Sequence, residues 1–499
     1  MSSPSTLAPE KRLPPTGQPV TAEPEGVRIR TIRVDGPHVA PLRGWRRLVS
    51  DWCRMGSATL IAQGLGVICS LALRMLVPPA QMGVWHTARL LISYGNYANL
   101  GTSKGALREF NIATGRRPRD GTSKPTAPRN RNLDLAFTVN TVTSVVYAAA
   151  LVVAACLIDF GPTHAWHWRM ALAAAALLAV GMRYLTFHVS ILRAAQRFAT
   201  TARLTIIEAC VTLVVAVAAV AVWGWPGLYV AAVATMVVSL CYVLPRAAVR
   251  LRWYWSRSRL IGLATAGLPI LLAGVLWSVL KSMDRFVILA CVENREHQLG
   301  CYSVALLACG ALGGLGSALA TVAAPRYGEL FGATADRRAV ARLAMRTSEY
   351  LAAMMGAVVA VAMLIGPPLL GLLLPAYRPG LPALVWLVPG AMLLTLAMPC
   401  SHYLIGVRQQ NRALPPVIAA IGLAGLGCTQ ALDWQLGLAG VGGAMLIAYA
   451  TYYVLLVGIS LWPALSWQDR LRYAATHTAA ALPVALTLVW LQASRGGAA

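Results

Sequence analysis

Charge is scarce in this sequence. Only 12% of its 499 residues are Asp, Glu, Lys or Arg, about half of what a soluble globular domain carries. Acidic residues are scarcer still, 18 against 43 basic ones. With a mean hydropathy of +0.61, this composition excludes a water-soluble enzyme. Phosphate-binding G-x-x-x-x-G-K-[ST] is missing, so the chain does not hydrolyse ATP on its own. No alternating ten-residue pattern speaks for a transmembrane barrel. The ten cysteines stand singly, without C-x-x-C or a histidine cluster, and read as small apolar core residues rather than metal ligands. Cys291 and Cys301 flank one turn and are the pair placed to join in an oxidising compartment.

What is abundant is long apolar runs. Thirteen segments can cross a hydrocarbon core of about 30 Å: 55–77, 82–104, 133–158, 168–191, 204–222, 227–247, 261–289, 299–323, 347–374, 381–405, 413–432, 437–461 and 474–491. The fold class expected is an all-α polytopic membrane protein of 12–13 spans. The formal charge of +25 invites a nucleic-acid reading, but its distribution argues against one. With the N-terminus cytoplasmic, 33 of the 43 Lys and Arg fall on inside segments and four outside. Basicity is therefore topology, plus attraction to anionic lipid, and no nucleic acid is expected. Residues 1–40 are polar and proline-rich, without periodicity or an apolar leader, and read as disordered. The stretch "PLRGWRRLVSDW" (41–52) reads either as a short interfacial helix or as a plain basic anchor.

A weak repeat organises the chain. "AQMGVWHTARLL" (80–91) and "HQLGCYSVALLA" (297–308) align at a constant offset of 217 residues, pairing Gln81 with Gln298, Gly83 with Gly300, Ala88 with Ala305 and Leu90 with Leu307. Six spans separate the copies, so both halves cross in the same sense. That predicts two lobes related by an axis along the membrane normal: a tail at 1–54, an N-lobe at 55–254, a C-lobe at 255–461 and an extra helix within 462–499. Outside loops are all short, which leaves little room for a catalytic domain there.

Six basic residues lie inside spans: Arg74, Arg89, Lys104, Arg183, Lys281 and Arg285. Arg74 and Lys104 sit near helix ends and can snorkel. Were Arg89, Arg183 and Lys281 all to face lipid, the cost would be about 8–10 kcal/mol. His86, Arg89, Ser93 and Asn96 recur at three- and four-residue steps, hence on one helix face. Helix 4 adds Arg183, Thr186 and Ser190, and helix 7 adds Ser278, Lys281, Ser282 and Arg285. The expectation is a shared hydrated cavity with these three cations in its wall, favouring an anion such as a phosphate or diphosphate. Of the two acidic residues away from span ends, Asp284 is expected to pair with its neighbours. Glu208 either pairs with a cation or carries a coupling proton. Pro269, Pro367, Pro368, Pro389 and Pro399 mark expected bends.

The run "LRMLVPPAQMGVWHTARLLISYGNYANLGTSKGALREF" (73–110) resembles the helix 1–2 region of bacterial polysaccharide flippases, within the multidrug/oligosaccharidyl-lipid/polysaccharide exporter superfamily. "ILRAAQRF" (191–198), "GLPILLAGVLWSVLKSMDRFVIL" (267–289), "QLGCYSVA" (298–305), "AAPRYGEL" (323–330) and "LIGPPLLGLLLPAYRPGLPALVWL" (364–387) stand in that family's order, so the resemblance covers roughly 55–460. It implies two six-helix lobes around a cavity that opens alternately to either side. It also implies export of polyprenyl-diphosphate-linked oligosaccharide across the bacterial inner membrane. By position Arg89, Arg183 and Lys281 would hold the anionic head, and Asp284 with Arg285 would match the family's helix 7 pair. No cofactor, metal or enzymatic step is implied; the partners would be the lipid-linked substrate, membrane lipids and a polymerase and export machinery. The thirteenth span departs from relatives with twelve or fourteen: 474–491 either crosses or lies in the interface. Two readings stay open beside a flippase, an ion-coupled exporter of small molecules and a membrane glycosyltransferase or polymerase.

Overall fold

Runs of Ala, Leu and Val without polar interruption leave the backbone to satisfy its own hydrogen bonds in hydrocarbon, and only helices or closed barrels do so. The computed structural model describes residues 43–115, 130–158, 165–195, 197–247, 249–407 and 409–496; the tail at 1–40 lies outside them. Among the described residues there is no strand. In order, the helices are α1 (Arg43–Leu76), α2 (Pro79–Gly95), α3 (Thr102–Gly115), α4 (Arg131–Leu157), α5 (Ala165–Ala194), α6 (Phe198–Trp223), α7 (Gly227–Val243), α8 (Arg257–Leu280), α9 (Met283–Cys291), α10 (Arg295–Thr334), α11 (Arg337–Leu373), α12 (Leu381–Leu396), α13 (Met398–Gly406), α14 (Leu414–Asp433), α15 (Gly437–Ile459) and α16 (Trp467–Gly496). Residues from Leu48 onward form one compact unit; of the unit before it, only the first residues of α1 are described.

Among the described residues ten helices are long and apolar enough to cross a membrane, or eleven with the bent α8 counted as one span. The α2–α3 pair and α10 fill the second and eighth expected places. Large apolar side chains such as Val146, Leu372 and Leu426 point outward and are 64–77% exposed, as lipid-facing positions must be. This is a multi-pass membrane protein. The segment from Arg43 is helical, not a plain unstructured anchor, and the apolar span of α1 runs over Gly56–Leu76. Residues 474–491 lie within α16, which packs along α11 and is one of the ten.

Three spans expected as single helices are broken. Helix 2 unwinds between Gly95 and Thr102, where Leu100 and Gly101 take positive φ and the Asn99 side-chain oxygen accepts from the Gly101 amide at 3.1 Å. Helix 7 breaks at Lys281–Ser282, and helix 10 at Ala397, just before Pro399. Pro269 bends rather than breaks α8. The Arg257–Thr265 and Gly267–Leu280 pieces meet at 49°, because a proline ring crowds the carbonyl four residues earlier, here that of Thr265.

The repeat is visible in the packing. In the first half α2 and α4 pack on α5, α7 packs on α5, and α6 pairs with α7; in the second half α10 and α11 pack on α12, α15 packs on α12, and α14 pairs with α15. Each pair in one list has its counterpart in the other, so the lobes are parallel copies. They meet along α2 and α10, and the aligned glycines lie at the crossing. A Cβ on Gly83 would stand 1.9 Å from the Glu296 carbonyl oxygen, and one on Gly300 1.7 Å from that of Pro79. Glu296 and Pro79 are themselves 217 residues apart, so the contact is reciprocal. Trp168 Nε1 donates to Glu296 Oε1 at 3.1 Å, tying α5 to the same crossing. A second meeting of the lobes lies at the opposite end of α2–α3, where Gly101 and Gly105 abut the α8 backbone at Gly267 and Leu263. Cys291 and Cys301 are free thiols, the latter with Sγ near His297 Nδ1 and the Ala376 carbonyl.

Candidate functional site

Between the lobes, and mostly within the first, lies a cavity of about 720 Å³ walled by α1, α2, α5, α6, α7, α9 and α10. The α2 stripe supplies one wall: His86, Arg89, Ser93 and Asn96 all line it, because steps of three and four residues turn them to one side. Ser93 spends its hydroxyl on the Arg89 carbonyl at 2.8 Å, leaving the Arg89 guanidinium uncommitted. Among the described residues that guanidinium makes no hydrogen bond or ion pair, and Arg89 is exposed to the cavity.

Two further arginines reach the same space. Arg74, at the end of α1, is 4% exposed. It does not snorkel. Nε donates to Ser303 Oγ at 3.2 Å, Nη2 to the Ser303 carbonyl at 3.0 Å, and Nη1 to the Ser70 carbonyl at 2.9 Å and to Ser70 Oγ; His86 Nε2 lies 3.1 Å from Nη2. Arg74 thereby binds α1 to α10 across the lobes, helped by Tyr377, whose hydroxyl donates to the Val77 carbonyl at 2.5 Å. Arg285, from α9, is the second lobe's cation in the cavity. Its Nη2 donates to the Lys281 carbonyl at 2.5 Å and to Ser282 Oγ at 3.2 Å, both at the break in helix 7, and its Nε stands 3.5 Å from Asp284 Oδ1. Asp284 is 1% exposed and also accepts from the Arg285 amide at 2.7 Å and the Tyr302 hydroxyl at 2.8 Å. The broken helix end, Asp284 and Tyr302 thus aim Arg285.

The facing wall is polar but nearly uncharged: Thr186, Thr212, Thr235 and Ser239, with Glu208 among them. Thr212 and Thr235 share a hydrogen bond of 3.3 Å. Among the described residues Glu208 makes no ion pair within 4 Å, but the Arg193 guanidinium, near the end of α5, attracts it from further off. Four basic side chains, one of them a histidine, therefore face a single carboxylate.

The expected trio of cavity cations is not assembled. Arg183 is 2% exposed but turned toward α4, where Nη2 donates to Asn140 Oδ1 at 3.2 Å and Thr143 Oγ1 at 2.7 Å. It ties two helices of one lobe together. Lys281 is exposed at the helix 7 break and is not among the lining residues. Single-helix spacing showed which residues share a face, not how that face is turned against its neighbours. Arg74 was the reverse case: its place near a helix end hid a bonded role. Replacing Asp284 with Asn is expected to cost about 3–5 kcal/mol, because it strips the charge partner from Arg285. Thermal unfolding in detergent should show a clear drop for Asp284→Asn and a smaller one for Tyr302→Phe.

Comparison with known proteins agrees with this architecture. The sequence profile of a family described as "Polysaccharide biosynthesis protein" matches residues 123–375. No curated protein matches the chain in sequence. Among solved structures, the inward-facing conformation of a multidrug resistance MATE family transporter of the MOP superfamily superposes with a TM-score of 0.59 at 18% identity, covering 83% of this chain and 96% of that one. The outward-facing conformation of such a transporter gives 0.59 at 17% identity, covering 86% and 97%. A MOP superfamily transporter from Pyrococcus furiosus, described by the reverse polarity of its binding pocket, also gives 0.59, at 17% identity with 86% and 96% covered.

Proposed function

Because this chain belongs to the polysaccharide biosynthesis protein family and has the fold of MOP superfamily transporters, we propose that it flips a polyprenyl-diphosphate-linked oligosaccharide from the cytoplasmic to the outer leaflet of a bacterial inner membrane. The observation that carries this reading is the charge of the cavity: Arg74, Arg89 and Arg285 against Glu208 alone. A guanidinium enclosed by protein without a carboxylate holds unused donors, and its planar fork matches phosphate oxygens two at a time. Arg89 is in that state, and Arg285 is aimed beside the same space from the other lobe. A diphosphate held between them would bridge the lobes, so that their relative motion carries it across.

Size supports the same division of labour. A space of about 720 Å³ is in the range of pockets for small ligands. It takes the diphosphate and the first sugars, while the rest of the glycan extends into water and the polyprenyl tail stays in lipid. Residues contacting the head are then Arg89, His86, Ser93 and Asn96 of α2 with Arg285. Surface polysaccharide assembly is the process such a step serves, with a polymerase and export machinery downstream.

Glu208 favours a second reading, a proton-coupled exporter of small cations, since a carboxylate lining a cavity is what such a protein needs. The two separate in proteoliposomes carrying a fluorescent polyprenyl-diphosphate sugar. The flippase reading predicts translocation by the wild type and by Glu208→Gln, and none of a cationic dye. Dye uptake lost in Glu208→Gln, with an unmoved polyprenyl lipid, would replace it.

A further inference from the structure

The segment joining α7 to α8 has no role in the cavity and an unusual make-up. Residues 250–259, "RLRWYWSRSR", hold four arginines and three aromatics. No Asp or Glu occurs anywhere between Glu208 and Asp284. From Leu251 to Ser256 the chain has no helical structure, and two backbone bonds fasten it to the start of α4: the Arg252 amide donates to Asp134 Oδ1 and the Tyr254 amide to Thr138 Oγ1, both at 3.0 Å. Leu251 and Tyr254 turn inward onto the apolar cluster of α3, α4 and α5. Trp253 meets the cluster only by an edge contact with Phe137, ring centroids 6.3 Å apart, and it and Trp255 stay 63% and 61% exposed. Arg250, Arg252, Arg257 and Arg259 are exposed with them.

Exposed tryptophan beside exposed arginine fits one level of a membrane protein, the headgroup layer, where the indole ring lies among glycerol groups and guanidinium meets phosphate. The segment is at that level, because it bridges the α7 end to the first turn of α8 and clasps the first turn of α4. By the distribution of basic residues this is the cytoplasmic side, whose leaflet carries the anionic lipid. Excess positive charge, four exposed arginines against the buried carboxylate of Asp134, is complementary to that surface.

We infer that residues 250–259 form a strap that docks on anionic phospholipid headgroups of the cytoplasmic leaflet, with Trp253 and Trp255 seated at the glycerol level and the four arginines on phosphates. The strap joins the lobes, so its seat gives the moving halves a fixed reference in one leaflet. The inference needs only the membrane fold and is independent of what the cavity carries.

The test uses the full chain in nanodiscs of phosphatidylcholine with or without about a third phosphatidylglycerol. The emission difference between wild type and Trp253→Phe/Trp255→Phe isolates the two indoles. It should be blue-shifted, quenched by lipids brominated near the glycerol and insensitive to aqueous acrylamide. Selectivity for spin-labelled phosphatidylglycerol over phosphatidylcholine should fall at least about threefold when the four arginines become glutamine. Indoles quenched by acrylamide in either lipid would mean that the face meets water or awaits a protein, and would overturn the inference. Unchanged lipid selectivity in the glutamine variant would overturn it too. Should that variant fail to insert, the conservative tryptophan pair decides alone.

Discussion

Changing Gly300 to valine is expected to abolish the folded protein. A single added Cβ would stand 1.7 Å from the Pro79 carbonyl oxygen and 2.4 Å from its carbon. Those are backbone atoms, with no rotamer into which to retreat, so α2 and α10 would have to part by more than an ångström along their whole crossing. Overpacking against mobile side chains costs about 1–3 kcal/mol, and backbone against backbone costs more. Gly83→Val should fail in the same way, since its Cβ would meet the Glu296 carbonyl oxygen at 1.9 Å. The control is Gly310→Ala on the same α10, where nothing lies within 4 Å of the added atom. Size-exclusion profiles after detergent extraction should show a monodisperse peak for Gly310→Ala and aggregate or no protein for the other two. Normal profiles for Gly83→Val and Gly300→Val would remove the close lobe crossing.

Arg89→Ala should lower transport at least about tenfold, the loss of one charge-assisted contact of about 1.5–3 kcal/mol, while leaving insertion and stability near wild type. The asymmetry follows from its lack of partners: among the described residues nothing bonds to the Arg89 guanidinium, so its removal costs what the substrate gains from it. Arg89→Lys keeps the charge but not the fork, and should fall between the two. Arg183 is the opposite case. Its bonds to Asn140 and Thr143 join α4 to α5, so Arg183→Gln should lower the unfolding temperature more than the affinity for substrate. Proteoliposome transport measured beside thermal unfolding separates the two patterns.

The places of the membrane segments were legible in the sequence because length and hydropathy suffice for them. The breaks were not. Those at 96–101 and 281–282 have no proline, and they exist because of contacts from elsewhere: Tyr97 reaches across to Ser278 at 2.5 Å, and Asp284 is held by Tyr302. The offset between Gly83 and Gly300 was readable as a repeat, but only the packing shows why glycine stands there. At the site, the α2 stripe was readable because four residues on one helix share a face whatever surrounds them. Arg183 and Lys281 were grouped with it on charge, on the polar residues at helical spacing around each, and on the family resemblance. Charge reports that a partner is needed, and Arg183 found its partners in a neighbouring helix rather than in the cavity.

The most direct measurement of the central claim is the leaflet distribution of polyprenyl-linked oligosaccharide in cells depleted of this protein. The account predicts accumulation on the cytoplasmic side, reversed by the wild type and poorly by Arg89→Ala. Normal outward translocation in depleted cells, with no second flippase of overlapping specificity present, would contradict it.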